Sequence, residues 1–215
     1  MTTPDPVDPA AQTPDSLAAP AEAAASDPAF DADAASAEAA RDADDDAASD
    51  ALVAALMEIE RHVSALGWDQ PARLFALVRT ADLVAVEPHL ADALDAEHRP
   101  PDAISSIEQD TWHAGEDVVE ALQGIAWPDT VEGCALAIER AFLPADAEAA
   151  VPDDRDEAAR YVAEHPRRQD IRVVAGVLRS GQRQSLARLA SDPDDLLGGP
   201  DLAPGLSELL SRTLR

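Results

Sequence analysis

A chain of 215 residues with net charge −27, sixteen arginines, no lysine and one cysteine excludes several function classes at the outset. Its field repels phosphate backbones and anionic lipid, so neither nucleic acid nor a membrane surface is an expected partner. Cys134 alone permits neither an internal disulfide nor a cysteine-rich zinc site, and no run reaches the ~18 apolar residues of a membrane span.

The charge and composition divide the chain. Residues 1–50 are mostly Ala, Asp, Pro, Ser and Thr, with thirteen acidic side chains against Arg41 alone. From Asp5 to Asp50 only Val7, Leu17 and Phe30 interrupt that composition with larger apolar groups. Such a segment cannot bury enough surface to offset the entropy of ordering it, so a disordered acidic arm is expected over 1–50. Asp31 to Ala48 is Ala-rich enough for transient helix, although its closely spaced Asp residues oppose it. The arm is either a solubilising tail or a segment that docks on an Arg cluster. Residues 51–215 have the length of one compact domain, which can bury about two thirds of its unfolded surface without a metal or disulfide.

In chain order, Asp50 is the expected N-cap of a helix over 51–66, with Leu52, Leu56, Ile59, Val63 and Leu66 as its stripe and Gly67 as its stop. Arg73 to Val78 is apolar on both faces and reads as a covered strand. Thr80 caps a short helix, Ala81 to Val86, and Pro88 opens a further turn through Leu94. His98 to Pro101 is a break. Ser105 to Asp110 reads equally as an edge strand or an ordered loop. A helix over 116–125 carries Val118, Val119, Leu122 and Ile125 and ends at Trp127-Pro128.

Val131 to Leu143 is the clearest strand, with Gly133 marking a bulge or a close backbone approach. A loop over 144–152 leads to a helix over 155–164 that stops before His165-Pro166. Ile171–Arg179 and Gln182–Leu189, separated by Ser180-Gly181, predict a β-hairpin. Ser191 to Asp201 reads as a polar loop before a last helix at Pro204, with Leu206, Leu209, Leu210 and Leu214 on one side. The pattern predicts a single α+β domain, with helices packed on a mixed or antiparallel sheet and a late hairpin.

Three stretches carry a resemblance. They are Gly67-Trp68-Asp69-Gln70-Pro71 running into Leu74-Phe75-Ala76-Leu77-Val78, Trp127-Pro128 through Gly133-Cys134-Ala135 to Glu139-Arg140, and His165-Pro166 through Asp170-Ile171-Arg172. Together they resemble an uncharacterised family of acidic proteins from high-GC actinobacteria, over most of 51–215 and without the arm. The resemblance implies a bacterial cytoplasmic setting and brings no activity, cofactor, partner or functional residue. Exclusive use of Arg fits GC-rich coding equally well. The absence of a basic start followed by an apolar stretch argues against a secretory signal.

Motifs for phosphate binding and for the serine-nucleophile elbow are missing, and Gly198-Gly199 lacks the strand-turn-helix setting of a nucleotide loop. The histidines at 62, 89, 98, 113 and 165 form no i, i+4 helical pair, so no metal site and no cofactor is expected. Cys134 sits inside the best strand and reads as core. Glu139 and Arg140 end that strand on opposite faces, so one of them faces inward. A buried charge needs a partner, and Arg140 with Glu132 or with a helix carboxylate is the expected ion pair. Lining a cleft is the alternative. Arg160, Arg167, Arg168 and Arg172 form the only basic concentration in the domain. They either balance Asp153, Asp154, Asp156 and Asp170 or dock an anionic partner. Trp68 and Trp112 are expected near exposed loops, and Trp127 at the end of its helix.

The sequence therefore predicts a non-enzymatic protein-interaction module in the cytoplasm, its acidic arm tethering or competing for another protein. Binding would use Arg160, Arg167, Arg168, Arg172, Glu139 and Arg140. The alternative is a small hydrolase or transferase acting on an anionic substrate, with Arg140, Arg168 and Arg172 binding it and Glu139 as acid or base.

Overall fold

The computed structural model describes residues 28–115, 117–143, 145–200 and 202–215. By internal contacts the chain divides into Met1–Ala39 and Ala40–Arg215. Of the first unit, the described part is the opening stretch of α1 (Pro28–Ala65). The second unit holds the rest of that helix and every other element. These are β1 (Arg73–Arg79), α2 (Thr80–Val86), two 3-10 turns (Pro88–Leu90 and Ala96–His98), β2 (Ile104–Glu108), α3 (Val118–Gln123), β3 (Gly133–Phe142), α4 (Ala145–Glu148), α5 (Arg155–Glu164), β4 (Gln169–Leu178), β5 (Arg183–Leu189), β6 (Asp192–Gly199) and α6 (Pro204–Thr213).

Among the described residues the six strands form one antiparallel sheet in the order β2-β1-β3-β4-β5-β6. The fold is α+β. β3 and β4 form the central pair, in register from Gly133 opposite Leu178 to Phe142 opposite Gln169. Side chains alternate across the sheet, and each face has its own core. On one face Ala51, Leu52, Ala55, Leu56, Ile59 and Val63 of α1 pack on Phe75, Leu77, Ala135, Ala137, Val174 and Leu186. On the other, Leu74, Cys134, Leu136, Ile138, Ala175 and Val177 lie under Val118 and Leu122 of α3 and Leu210 and Leu214 at the end of the chain. Cys134 is fully buried, as its place in a strand implied, and burial pushes its thiol up to about 11.

Several expectations need correction. Asp50 is not an N-cap: it lies within α1, and residues 38–50 of the expected disordered arm are helical. Alanine has the highest helix propensity and carries the helix through this stretch. The apolar stripe marked where burial begins, not where the helix begins. Residues 1–27 lie outside the described residues. Leu66 falls beyond the helix and is exposed, while Gly67 makes the predicted stop with φ of 87°.

Thr80 does not cap α2. Arg79 holds that position without a side-chain bond, and the Thr80 hydroxyl turns inward to share a hydrogen bond of 2.8 Å with Ser105. Val119 is not part of the buried stripe of α3 and stands 42% exposed; the cap is Asp117, which accepts from the amides of Val119 and Glu120. The stretch 144–152 includes the single turn α4. The undecided segment after Ala103 is an edge strand. At the opposite edge, the supposed loop 191–201 contains β6, whose acidic composition and Pro193 hid it. Such residues are tolerated on an edge because one side of the strand needs no ladder partner.

Gly133 resolves as a close approach. A Cβ there would lie 2.3 Å from the carbonyl oxygen of Val177.

Candidate functional site

The inward-facing group at the end of β3 is Glu139, and its partner is Arg172, directly opposite on β4. Arg172 donates from Nε and Nη2 to Glu139 Oε1 at 3.1 and 2.7 Å, and from Nη1 to Ser64 Oγ at 2.8 Å. Its Nη2 also donates to the Gly67 carbonyl. The guanidinium carbon lies 4.4 Å from the Trp68 ring centroid, and Arg172 is only 2% exposed. A cation so enclosed is stable only with its donors satisfied, and here helix, loop and strand all supply acceptors.

The network continues. Ser64 Oγ donates to Glu60 Oε1 at 2.6 Å, and Arg188 donates to the two oxygens of Glu60 at 2.7 and 3.0 Å. Burial pushes the Glu60 carboxyl up, but the bonds from Arg188 and Ser64 and the charge of Arg172 outweigh this and hold it below its ordinary value. A lowered folded-state pKa means that this stabilisation is present above the unfolded value and is lost as pH falls through the folded one. Glu60→Gln should therefore be destabilising at pH 7. Its deficit in urea unfolding should shrink steadily on acidification below about pH 4.5, the ordinary value for this carboxyl.

The loop after α1 is held by the same residues. Gly67 has φ of 87° and Asp69 φ of 63°, so the chain curls left-handed on either side of Trp68. That geometry is unfavourable for Asp69. It brings the Gln70 amide to within 3.1 Å of Glu139 Oε2 and lays Trp68 over Arg172. The result is a cavity of about 490 Å³ at the strand ends, lined by Trp68, Asp69, Glu139, Arg140, Arg168 and Asp170 among others.

Of the six residues singled out from sequence, three thus line one cavity: Glu139, Arg140 and Arg168. Arg172 lies behind them as the partner of Glu139. Arg167 instead bonds Asp146 at 2.8 Å, and Arg160 is exposed on α5. The expected pairing of Arg140 with Glu132 does not occur, because Glu132 bonds Arg79 at 3.0 Å. Arg140 and Glu132 stand at opposite ends of β3, and Arg140, which faces away from Glu139, has no acidic partner among the described residues.

A second feature lies on the face opposite α1. There α3 and α6 cover β3 and β4, while β1 and β2 carry an open groove of about 640 Å³. Val78 of β1 and Ile107 of β2 line its floor, and Trp112 and Trp127 belong to its walls. Both indole N–H groups are bonded, Trp112 to the Ala121 carbonyl at 3.4 Å and Trp127 to Thr213 Oγ1 at 3.0 Å. Arg179 fixes the wall around Trp127 by donating to the carbonyls of Trp127, Pro128 and Val131 at 3.1, 3.2 and 2.8 Å. Sequence alone does not assign these tryptophans to a shared wall. The signal that could have done so is their nearness to Leu74-Ala76-Val78, and topology alone brings those residues beside them.

A family model described as PPA1309-like protein matches residues 52–215. The chain belongs to the PPA1309-like protein family. Comparison with curated proteins and with solved structures returned no match. The PPA1309-like region, for which no function is assigned, begins at Leu52, the first described residue of α1 that is fully buried. Both the strand-end cavity and the groove lie wholly inside it. No helix among the described residues is long and apolar enough to cross a membrane.

Proposed function

We propose that this protein is a non-enzymatic interaction module that seats an extended, apolar and basic segment of another protein along β2, in the groove beside Trp112 and Trp127. The groove is the observation that carries the reading. It leaves Ile107 39% exposed on a sheet face whose other half is covered. Its tryptophans are already fixed by hydrogen bonds, so seating a partner costs little further ordering. β2 is a sheet edge whose backbone at Ile104, Ser106 and Glu108 faces away from β1, which suits an added strand. A basic segment is favoured because the whole chain carries −27. The acidic N-terminal stretch then acts as a tether for that partner, and the cytoplasmic setting belongs to the same proposal.

The rival reading, a hydrolase or transferase for an anionic substrate, has one observation in its favour: Glu139, Arg140 and Arg168 line the same cavity. Against it, both Glu139 oxygens are already engaged, by Arg172 and by the Gln70 amide.

The test is affinity purification with cross-linking, comparing the natural chain with an Ile107→Asp, Trp112→Ala variant whose melting is checked separately. The expected result is a stoichiometric partner cross-linked beside β2 through a segment carrying Arg or Lys, and absent with the variant. A partner bound equally by both forms, or mapped to another surface, would overturn the reading. Neutralising Asp42, Asp44 and Asp46 to Asn should slow association at low salt and flatten its salt dependence, read by stopped-flow mixing with that partner.

A further inference from the structure

β2 offers two different surfaces to a strand laid beside it. Alternation sends Ser105 and Ile107 to the groove face, and Ile104, Ser106 and Glu108 to the face that α1 covers. An added strand alternates in the same way, so only every second of its side chains enters the groove. The others meet the α1 face, which forms a recess of about 380 Å³ at the Ile104 end. Ile104 and Leu178 give the recess an apolar surface, and Ala47 and Ala48 of α1 overhang it. Four carboxylates line it, from Asp44, Asp45, Asp102 and Glu132, against the one guanidinium of Arg79. Glu132 is bonded to Arg79 at 3.0 Å, and Asp45 accepts from Gln182 Nε2 at 2.9 Å. Asp44 and Asp102 have no salt bridge among the described residues. The bond to Glu132, with the charges of Glu132, Asp82 and Asp102, holds the Arg79 guanidinium above its ordinary pKa. Negative charge is therefore in surplus here even with that arginine counted.

The groove differs in kind: no acidic side chain lines it among the described residues. A cation on that face would lose water against Val78, Ile107 and the tryptophans without gaining a counter-charge. From the contrast we infer that the partner segment along β2 is a strand of fixed phase, with apolar residues opposite Ser105 and Ile107 and an arginine or lysine opposite Ile104. The cation of that residue enters the recess beside Asp44 and Asp102. This rests on the groove reading and adds to it which positions of the partner are basic.

The experiment follows backbone amide shifts of the isotopically labelled full chain during titration with acetyl-Val-Arg-Val-Thr-Val-Arg-Val-amide. This peptide reads the same in either strand direction and sets an arginine opposite Ile104 in both. One comparison peptide carries citrulline for each arginine, which keeps the shape and removes the charge. Another exchanges the two terminal Val–Arg pairs, which keeps the composition and breaks the alternation. Salt at about 0.5 M suppresses long-range attraction. The expected result is saturable shifts at Ile104, Ser106 and Glu108, with both comparison peptides at least about tenfold weaker. The double variant Asp44→Asn, Asp102→Asn should weaken the first peptide by a similar factor and leave the citrulline peptide unchanged. Asp42→Asn, Asp46→Asn removes as much charge from exposed positions outside the recess and should have little effect. The spectra themselves show whether each variant is folded. No shifts at β2, or shifts that persist in Ile107→Asp, would sink the groove reading and this one together. Binding at β2 with either comparison peptide as tight as the first, or with the two aspartate pairs equivalent, would overturn the fixed phase alone.

Discussion

Arg172→Ala is expected to remove about 3–5 kcal/mol of stability, because it strands Glu139 against the sheet with its cationic partner gone. The loss is not confined to one pair. The same guanidinium also bonds Ser64 in α1 and the Gly67 carbonyl, and it supports Trp68, so helix, loop and β4 loosen together. A domain of this size has only about 5–15 kcal/mol in total, so the variant should be largely unfolded in mild urea. The double variant Arg172→Leu, Glu139→Leu should recover much of the loss, since an apolar pair leaves no buried charge unpaired. Urea unfolding of Arg172→Leu, Glu139→Leu and the double variant measures the coupling. Near-additive losses would mean that the pair is solvated and that the network has little structural weight.

The second large effect is expected at Gly133. An alanine there places its Cβ 2.3 Å from the Val177 carbonyl oxygen and 3.1 Å from the Leu178 Cα. Both are backbone atoms of the neighbouring central strand, held by the longest ladder in the sheet, so neither can step aside. The cost should reach about 3 kcal/mol, at the upper end for overpacking. Gly176→Ala offers a graded comparison. Its Cβ meets Leu56 Cδ2 at 2.7 Å, a side-chain end that can shift, so the loss should be smaller. Gly198→Ala on β6 meets only Leu186 at 3.4 Å and should change little. Thermal melting should rank Gly198→Ala highest, then Gly176→Ala, then Gly133→Ala. Gly133→Ala melting level with Gly198→Ala would contradict the close strand approach.

Elements with a strong period or a sharp stop were legible in the sequence. The buried stretch of α1, strands β1 and β3, the β4–β5 hairpin and α6 all carry apolar spacing that matches their packing. β6 was hidden because an exposed edge strand needs no apolar alternation, and Asp192, Pro193, Asp194 and Asp195 suggest a loop by composition. The start of α1 was hidden because its described side chains upstream of Asp50 are exposed apart from the partly buried Ala47, Ala48 and Ser49, so no apolar stripe marks it and helix propensity does.

At the site, alternation correctly required one of Glu139 and Arg140 to face inward. Which of them did so, and against what, depended on register: Arg172 stands opposite Glu139 only because β3 and β4 pair over their whole length. Adjacent arginines in sequence, Arg167 and Arg168, have separate partners because one reaches Asp146 and the other Asp170. The groove could not be read at all, since its two walls and its floor come from three separated segments.

The two sheet margins differ in a way that sets how far this protein can grow by strand pairing. β6 ends the sheet with aspartates and a proline, which repel or interrupt any strand laid against it, whereas β2 is short, neutral until Glu108 and open. The sheet therefore has a valence of one. A foreign strand added at β2 fills it, and a second copy joined there would leave only two β6 margins facing outward. Assembly along this axis is self-terminating, and a fibre built by edge-to-edge addition has no second site from which to propagate.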